Sequence, residues 1–163
     1  MQNNKLLDIK NLSVEYRTED ATVYAVDGLS LSLGKGETLG LVGETGAGKT
    51  TTALSIMRLL PQGIGEVTQG TIELDGADIM QLSDKEIRAI RGNTVSMIFQ
   101  DPMTSLNPVM TVGDQILEVL KIHNPNMSKA ELDKKVDDMM EMVGIPANRK
   151  VEYPHQFSGG MKQ

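Results

Sequence analysis

Gly43-Glu44-Thr45-Gly46-Ala47-Gly48-Lys49-Thr50 is a glycine, four intervening residues, and then Gly-Lys-Thr. These residue types at this spacing suit an anion of the size and charge of a triphosphate. Glycines let successive backbone N–H groups curl inward, and a helix opening at the end of the loop adds the partial positive charge of its N-terminus. Lys49 would reach the β- and γ-phosphates as a point charge, and the Thr50 hydroxyl would coordinate Mg²⁺. Glu44, Thr45, Ala47 and Thr51 complete the segment whose backbone would line the phosphates.

Such a loop works only at a strand-to-helix turn, and a chance glycine-rich turn would lack both flanks. Thr38 to Val42 is an apolar run short enough for a buried parallel strand. Thr51 to Leu60 carries apolar residues at 53, 54, 56, 57 and 60, which is helical spacing. Upstream, Leu6 to Tyr16, Thr22 to Val26 and Leu29 to Leu33 read as strands, with Gly34 to Glu37 as a turn into the loop's own strand. Downstream, Gly63 to Gly70 reads as a loop, and Thr71 to Leu74 as a short strand closed by Asp75-Gly76. Ser83-Asp84-Lys85-Glu86 is a capping box for a helix through about Ile90, and Thr94 to Phe99 reads as a second buried strand.

Beyond Gln100 the pattern turns helical. Asp101 to Val109 is expected to be a loop, Thr111 to cap a helix through about His123, and Ser128 to Glu131 to open a helix ending at Gly144. The apolar stripe of that last helix runs 132, 136, 139, 140 and 143, and Met139, Met140 and Met142 are assigned to filling a small helical core, with an adaptable partner surface as the alternative. Ile145 to Pro154 is expected to be irregular, with Ser158 as the N-cap of a further helix.

The 163 residues hold 16 Lys and Arg against 22 Asp and Glu, a formal charge of −6. This balance, without a basic run, argues against nucleic acid as the main partner. The absence of Cys excludes disulfides and thiolate metal sites. With no apolar stretch of 18 residues and no signal-like start, a soluble, intracellular protein with at most peripheral membrane contact is expected.

Tyr16, the phosphate loop, Gln100 within MIFQDPMTSLNP, and YPHQFSGGMKQ stand in the order and spacing of the ATP-binding-cassette (ABC) ATPases, and the resemblance covers essentially the whole chain. FQDPMTSLNP followed by FSGGM, where the general signature reads LSGGQ, looks most like the ATP-binding subunits of dipeptide, oligopeptide and nickel importers. The resemblance implies an α/β P-loop NTPase fold: residues 1–100 form an antiparallel β-subdomain with a partial RecA-like core, and 101–163 an incomplete helical subdomain. It implies that Tyr16 stacks on adenine, with Tyr24 nearby as the other aromatic. Gln100, with Thr50, would coordinate Mg²⁺ and would sense the γ-phosphate, at the start of a loop facing the membrane subunit. Phe157, Ser158, Gly159, Gly160 and Met161 would contact ATP held by a second subunit. Two ATPase subunits, alike or different, would sandwich two ATP molecules head to tail on the inner face of the cell membrane, driving a permease fed by an extracellular solute-binding protein. A non-transport ABC ATPase acting on DNA or ribosomes is the alternative, and the acidic charge counts against it.

The family's pattern continues past the signature with an apolar strand ending in Asp and a catalytic Glu, and later with a switch His. None of these has a counterpart in the 163 residues, so no residue is assigned to catalysis; His123 and His155 precede the signature and are not candidates. Nucleotide binding without efficient hydrolysis is expected of a chain that resembles the first part of such an ATPase. Without the Walker B strand at the centre of the sheet, the isolated chain is expected to be unstable, to aggregate, or to exchange a strand with another copy.

Overall fold

In the computed structural model, residues 5–99 and 104–163 are described. They fall into two compact units, Met1–Met97 and Ile98–Gln163.

The first unit is built on a four-stranded antiparallel sheet, ordered β2-β1-β3-β4, from β1 (Lys5–Arg17), β2 (Thr22–Gly34), β3 (Gly65–Leu74) and β4 (Ala77–Asp78). Its register follows from keeping one face apolar. Leu7 pairs with Leu33 and Leu74, Ile9 with Leu31 and Ile72, and Val14 with Val26 and Val67. The core-facing positions are thus odd-numbered at one end of β1 (Leu7, Ile9) and even-numbered at the other (Leu12, Val14). An extra residue must absorb that change of phase, and it does so on all three strands around the level of the Leu12–Leu29 pair. Asn11 (φ 50), Gly28 (φ 62) and Gly70 (φ 94) all take left-handed conformations there, and the pairing register shifts beside Asn11 on both flanks. Two hydroxyls tie the level together: Asn11 N–H donates to Ser30 Oγ at 2.9 Å, and Gly28 N–H to Ser13 Oγ at 3.0 Å.

This level corrects two expectations. Gly28 does not separate two strands but bulges one, and residues 65–70 continue β3 instead of forming a loop. The short β4 was not anticipated from sequence. Two other corrections concern the predicted buried strands. Residues 38–42 join no sheet, and Leu39, Leu41 and Val42 are 50%, 46% and 94% exposed; in 94–99 only Val95 forms a bridge, to Arg91, while Ile98 and Phe99 are 89% and 52% exposed. A strand persists only when a neighbour takes its N–H and C=O groups, and among the described residues no strand runs alongside either segment.

Helix α1 (Lys49–Ile56) ends earlier than the expected Leu60 because Arg58 turns left-handed (φ 50) and Leu59 N–H reaches back to the Leu54 carbonyl at 2.8 Å. Arg91 closes that end: its Nε and Nη2 donate to the Met57 and Arg58 carbonyls at 2.9 and 2.7 Å. Helix α2 (Asp84–Ile90) begins at the expected capping box and inserts Ile87 into the sheet's core.

The second unit packs α3 (Val112–His123) against α4 (Lys129–Met142), with 3-10 turns at Ala147–Val151 and Pro154–Gln156 and a last turn α5 (Gly159–Lys162). Thr111 and the Ser128 capping box start α3 and α4 as expected. Val112, Val136, Met140, Ile145 and Phe157 form the core. Of the α4 stripe, Leu132, Val136 and Met140 are buried, spaced four apart. Met139, Met142 and Val143 are 44%, 82% and 69% exposed, so the assignment of Met139 and Met142 to the core is corrected. Helix α4 meets α3 and the turn at Ala147–Val151 along the row of these three residues, and the adjacent positions turn away from it.

Glu131 accepts from Ser128 Oγ at 2.7 Å and from Ser128 N–H at 2.9 Å. The hydroxyl bond first, and then the backbone bond, hold its carboxyl below the ordinary glutamate range. A depressed folded-state pKa gives a contribution that is complete above the unfolded value, about pH 4.3, and lost as pH falls through the folded one. Helix content followed by circular dichroism from pH 6 to 3 is therefore expected to fall less on the acid side in Glu131→Gln, whose amide keeps the same geometry without titrating. Identical acid limbs in the two proteins count against this assignment.

Candidate functional site

The phosphate-loop segment of the first unit joins the exposed stretch 38–42 to α1. Gly46 (φ 86) and Gly48 (φ 80) take left-handed conformations that turn the backbone back on itself. At Gly48 no other residue fits: a Cβ would collide with the Ala25 carbonyl oxygen of β2. That close approach brings the start of α1 against the sheet. The two ends of α1 differ. No side chain caps its N-terminus and its first turn carries no acidic residue, whereas its C-terminus is closed by Arg91. The open amides and the positive end of the helix dipole are left for an incoming anion.

Lys49 Nζ donates to the Gly43 and Glu44 carbonyls at 2.5 and 2.7 Å, which draws the ammonium across the loop. Thr50 is exposed beside it, and Thr51 is buried. Tyr16, at the end of β1, donates from its hydroxyl to Thr51 Oγ1 at 3.3 Å, while Tyr24 is 73% exposed. The structure thus gathers Tyr16 and residues 43–51 around the start of α1. Gln100 lies outside the described residues. No group of three or more His, Cys, Asp and Glu among the described residues could hold a metal ion. The Thr50 hydroxyl could meet an Mg²⁺ ion that phosphate oxygens also hold, and that donor set fits a hard cation.

The FSGGM segment belongs to the second unit. Phe157 is buried in its core, and Ser158 caps α5, accepting from Met161 N–H at 3.4 Å. Arg149, which sequence reasoning did not single out, braces this segment. It donates to Glu152 (2.6 Å), the Gln156 carbonyl (3.1 Å) and Met161 Sδ (3.4 Å), and its guanidinium lies 4.7 Å from the Phe157 ring centroid. The Arg149 fork holds the Glu152 carboxyl below the ordinary range. Nothing in the local sequence marks Arg149, since its partners, Glu152 to Met161, are spread over ten residues. A Cβ on Gly160 would meet nothing within 4 Å, so packing within the unit does not require glycine there. A cavity of about 540 Å³, with Leu106, Met110, Ile116, Val119 and Met139 among its lining, also lies in this unit.

The ABC transporter family model matches residues 26–163. The chain belongs to the ABC transporter family. It is 53% identical over 161 residues to the dipeptide transport ATP-binding protein DppD of Bacillus subtilis, covering 98% of this chain and 48% of the relative. It is 46% identical over 161 residues to the oligopeptide transport ATP-binding protein OppD of the same organism, covering 98% and 45%. The chain spans about half the length of the curated relatives it matches. Among solved structures it resembles the dimeric MJ0796, a bacterial ABC transporter cassette, with a TM-score of 0.79 at 25% identity, covering 96% of this chain and 65% of that one. The fold is that of an ABC ATPase in part, and nucleotide binding goes with that family. No described helix is long and apolar enough to cross a membrane.

Proposed function

We propose that these residues are the nucleotide-binding part of an ATPase that powers a peptide importer, with Mg²⁺-ATP held at the start of α1. The observation that carries the reading is the helix N-terminus left open beside Lys49, within a chain 53% identical to a dipeptide transport ATP-binding protein. Loop amides and the α1 terminus bind phosphate oxygens. Lys49 leaves the Gly43 and Glu44 carbonyls for the β- and γ-phosphates, and Thr50 meets the metal. Tyr16 offers a ring to the adenine, and Gln100 would complete the metal's shell.

Ser158, Gly159 and Gly160 approach the nucleotide of a second ATPase subunit, arranged head to tail. The glycine at 160, which packing within the unit does not demand, supports that role. A membrane permease is the other partner, placing the protein on the inner face of the membrane. The apolar cavity beside α3 supports a contact there, because its lining begins at Ser105, soon after Gln100 in the sequence. Hydrolysis in the whole protein depends on residues beyond these 163. Titrating ATP with Mg²⁺ into this chain and into the full reading frame, with turnover measured for both, tests the reading. Both are expected to bind and the longer one to turn over at least a hundredfold faster, given the size of general-base contributions. Equal turnover would defeat the division of labour, and failure of both to bind would defeat the nucleotide reading itself.

A further inference from the structure

The phosphate loop is attached to the rest of its unit almost entirely from one side. Residues 38–42, which lead into it, join no sheet, and residues 43–47 are exposed. Its position must therefore be set from α1, and two contacts do this. One is the seat of Gly48 on the Ala25 carbonyl; the other is the bond from Tyr16 Oη to Thr51 Oγ1, 3.3 Å.

The second contact is well supported on the sheet side. Tyr16 is paired with Val23 on one flank and Gly65 on the other, and Arg17 N–H next to it donates to the Ile64 carbonyl at 2.7 Å. Gly65 has no side chain where the Tyr16 ring lies: a Cβ would come within 2.9 Å of Tyr16 Cε1 and 3.2 Å of Cδ1. The ring is thus seated over a glycine with its hydroxyl directed at the first turn of α1. On the other side, Thr51 is only 8% exposed and its carbonyl is bonded by Ser55 Oγ at 2.8 Å, so this turn is an ordered acceptor. Thr51 is two residues from Lys49.

We infer that the Tyr16 hydroxyl tethers the phosphate loop to the antiparallel sheet, making Tyr16 a positioning residue for the phosphates in addition to a surface for the base. Its consequence for ligands rests on the nucleotide reading above, while the tether itself does not. The two tasks separate chemically. Stacking needs the ring and a base; tethering needs the hydroxyl and no base.

Tyr16→Phe keeps the ring and removes the hydroxyl. Inorganic tripolyphosphate, which has no base, is the probe beside ATP. With the tether, Tyr16→Phe weakens both ligands by the same factor, roughly two- to tenfold for one neutral hydrogen bond. Thr51→Val produces the same loss, and the double variant loses little more. Unchanged affinities, or a loss confined to ATP, overturn the inference. Amide hydrogen exchange of residues 43–52 without ligand gives a second readout: Tyr16→Phe exchanges faster there and not in β1. Unchanged exchange overturns the tether even if neither probe binds the parent chain, an outcome that would itself count against the nucleotide reading and not against the tether.

Discussion

Replacing Lys49 by alanine is expected to weaken ATP binding by roughly ten- to a hundredfold, the worth of one or two charge-assisted bonds to phosphate. The ammonium is the cation that the structure places across the loop, on the Gly43 and Glu44 carbonyls. Those bonds are solvent-exposed, so their loss should move the unfolding midpoint little. Affinity and stability therefore separate in this variant. Titration with a fluorescent ATP analogue, beside a thermal melt, checks both. Unchanged affinity would falsify the assignment of Lys49 to the phosphates; a large drop in melting temperature would instead mean that the lysine holds the loop together.

The second large effect is on folding. Gly70→Ala puts a Cβ into the carbonyls of Lys10 and Asn11 and forces an L residue to a φ of 94°. Left-handed backbone alone costs roughly 1–2 kcal/mol, and the overlap with two carbonyls brings the expected loss to about 3 kcal/mol. Gly76→Ala is the control. Its φ of 84° is equally left-handed but a Cβ there meets open space, so about 1 kcal/mol is expected. Urea midpoints of the two variants, compared with the parent, give the difference. If Gly70→Ala is no worse than Gly76→Ala, the clash is relieved by movement of β1, and the shared bulge is less rigid than described.

Signals that were local in sequence proved the most legible. The capping residues Ser83, Thr111, Ser128 and Ser158 each sit where their type and spacing placed them. So does the loop-to-helix turn at Lys49. Positions whose meaning depends on a distant partner were read less well. Gly28 and Gly70 read as breaks in the sequence, although beside the register shifts of β1 they are the positions that let two long strands continue. Leu39, Leu41 and Val42 have the composition of a buried strand, but β-composition reports only fitness for a pleated, covered surface. Among the described residues nothing pairs with that run. In the site, Tyr16 was visible as an aromatic near the loop, while its hydroxyl bond to Thr51 spans 35 residues and has no signature in the string. Arg149 differs: its partners, Glu152 to Met161, are near in sequence but are brought to it by irregular turns.

The two carbonyls that hold Lys49 also bear on timing. On the proposed reading, the ammonium would exchange the Gly43 and Glu44 oxygens for phosphate oxygens as a triphosphate is seated. Capture is then a partner swap and not a simple encounter, with the loop serving as its own placeholder ligand. In the empty loop the ammonium is met by neutral carbonyl oxygens, whereas phosphate oxygens would meet it with opposite charge, so the swap strengthens the lysine's contacts without leaving it unpaired at either stage.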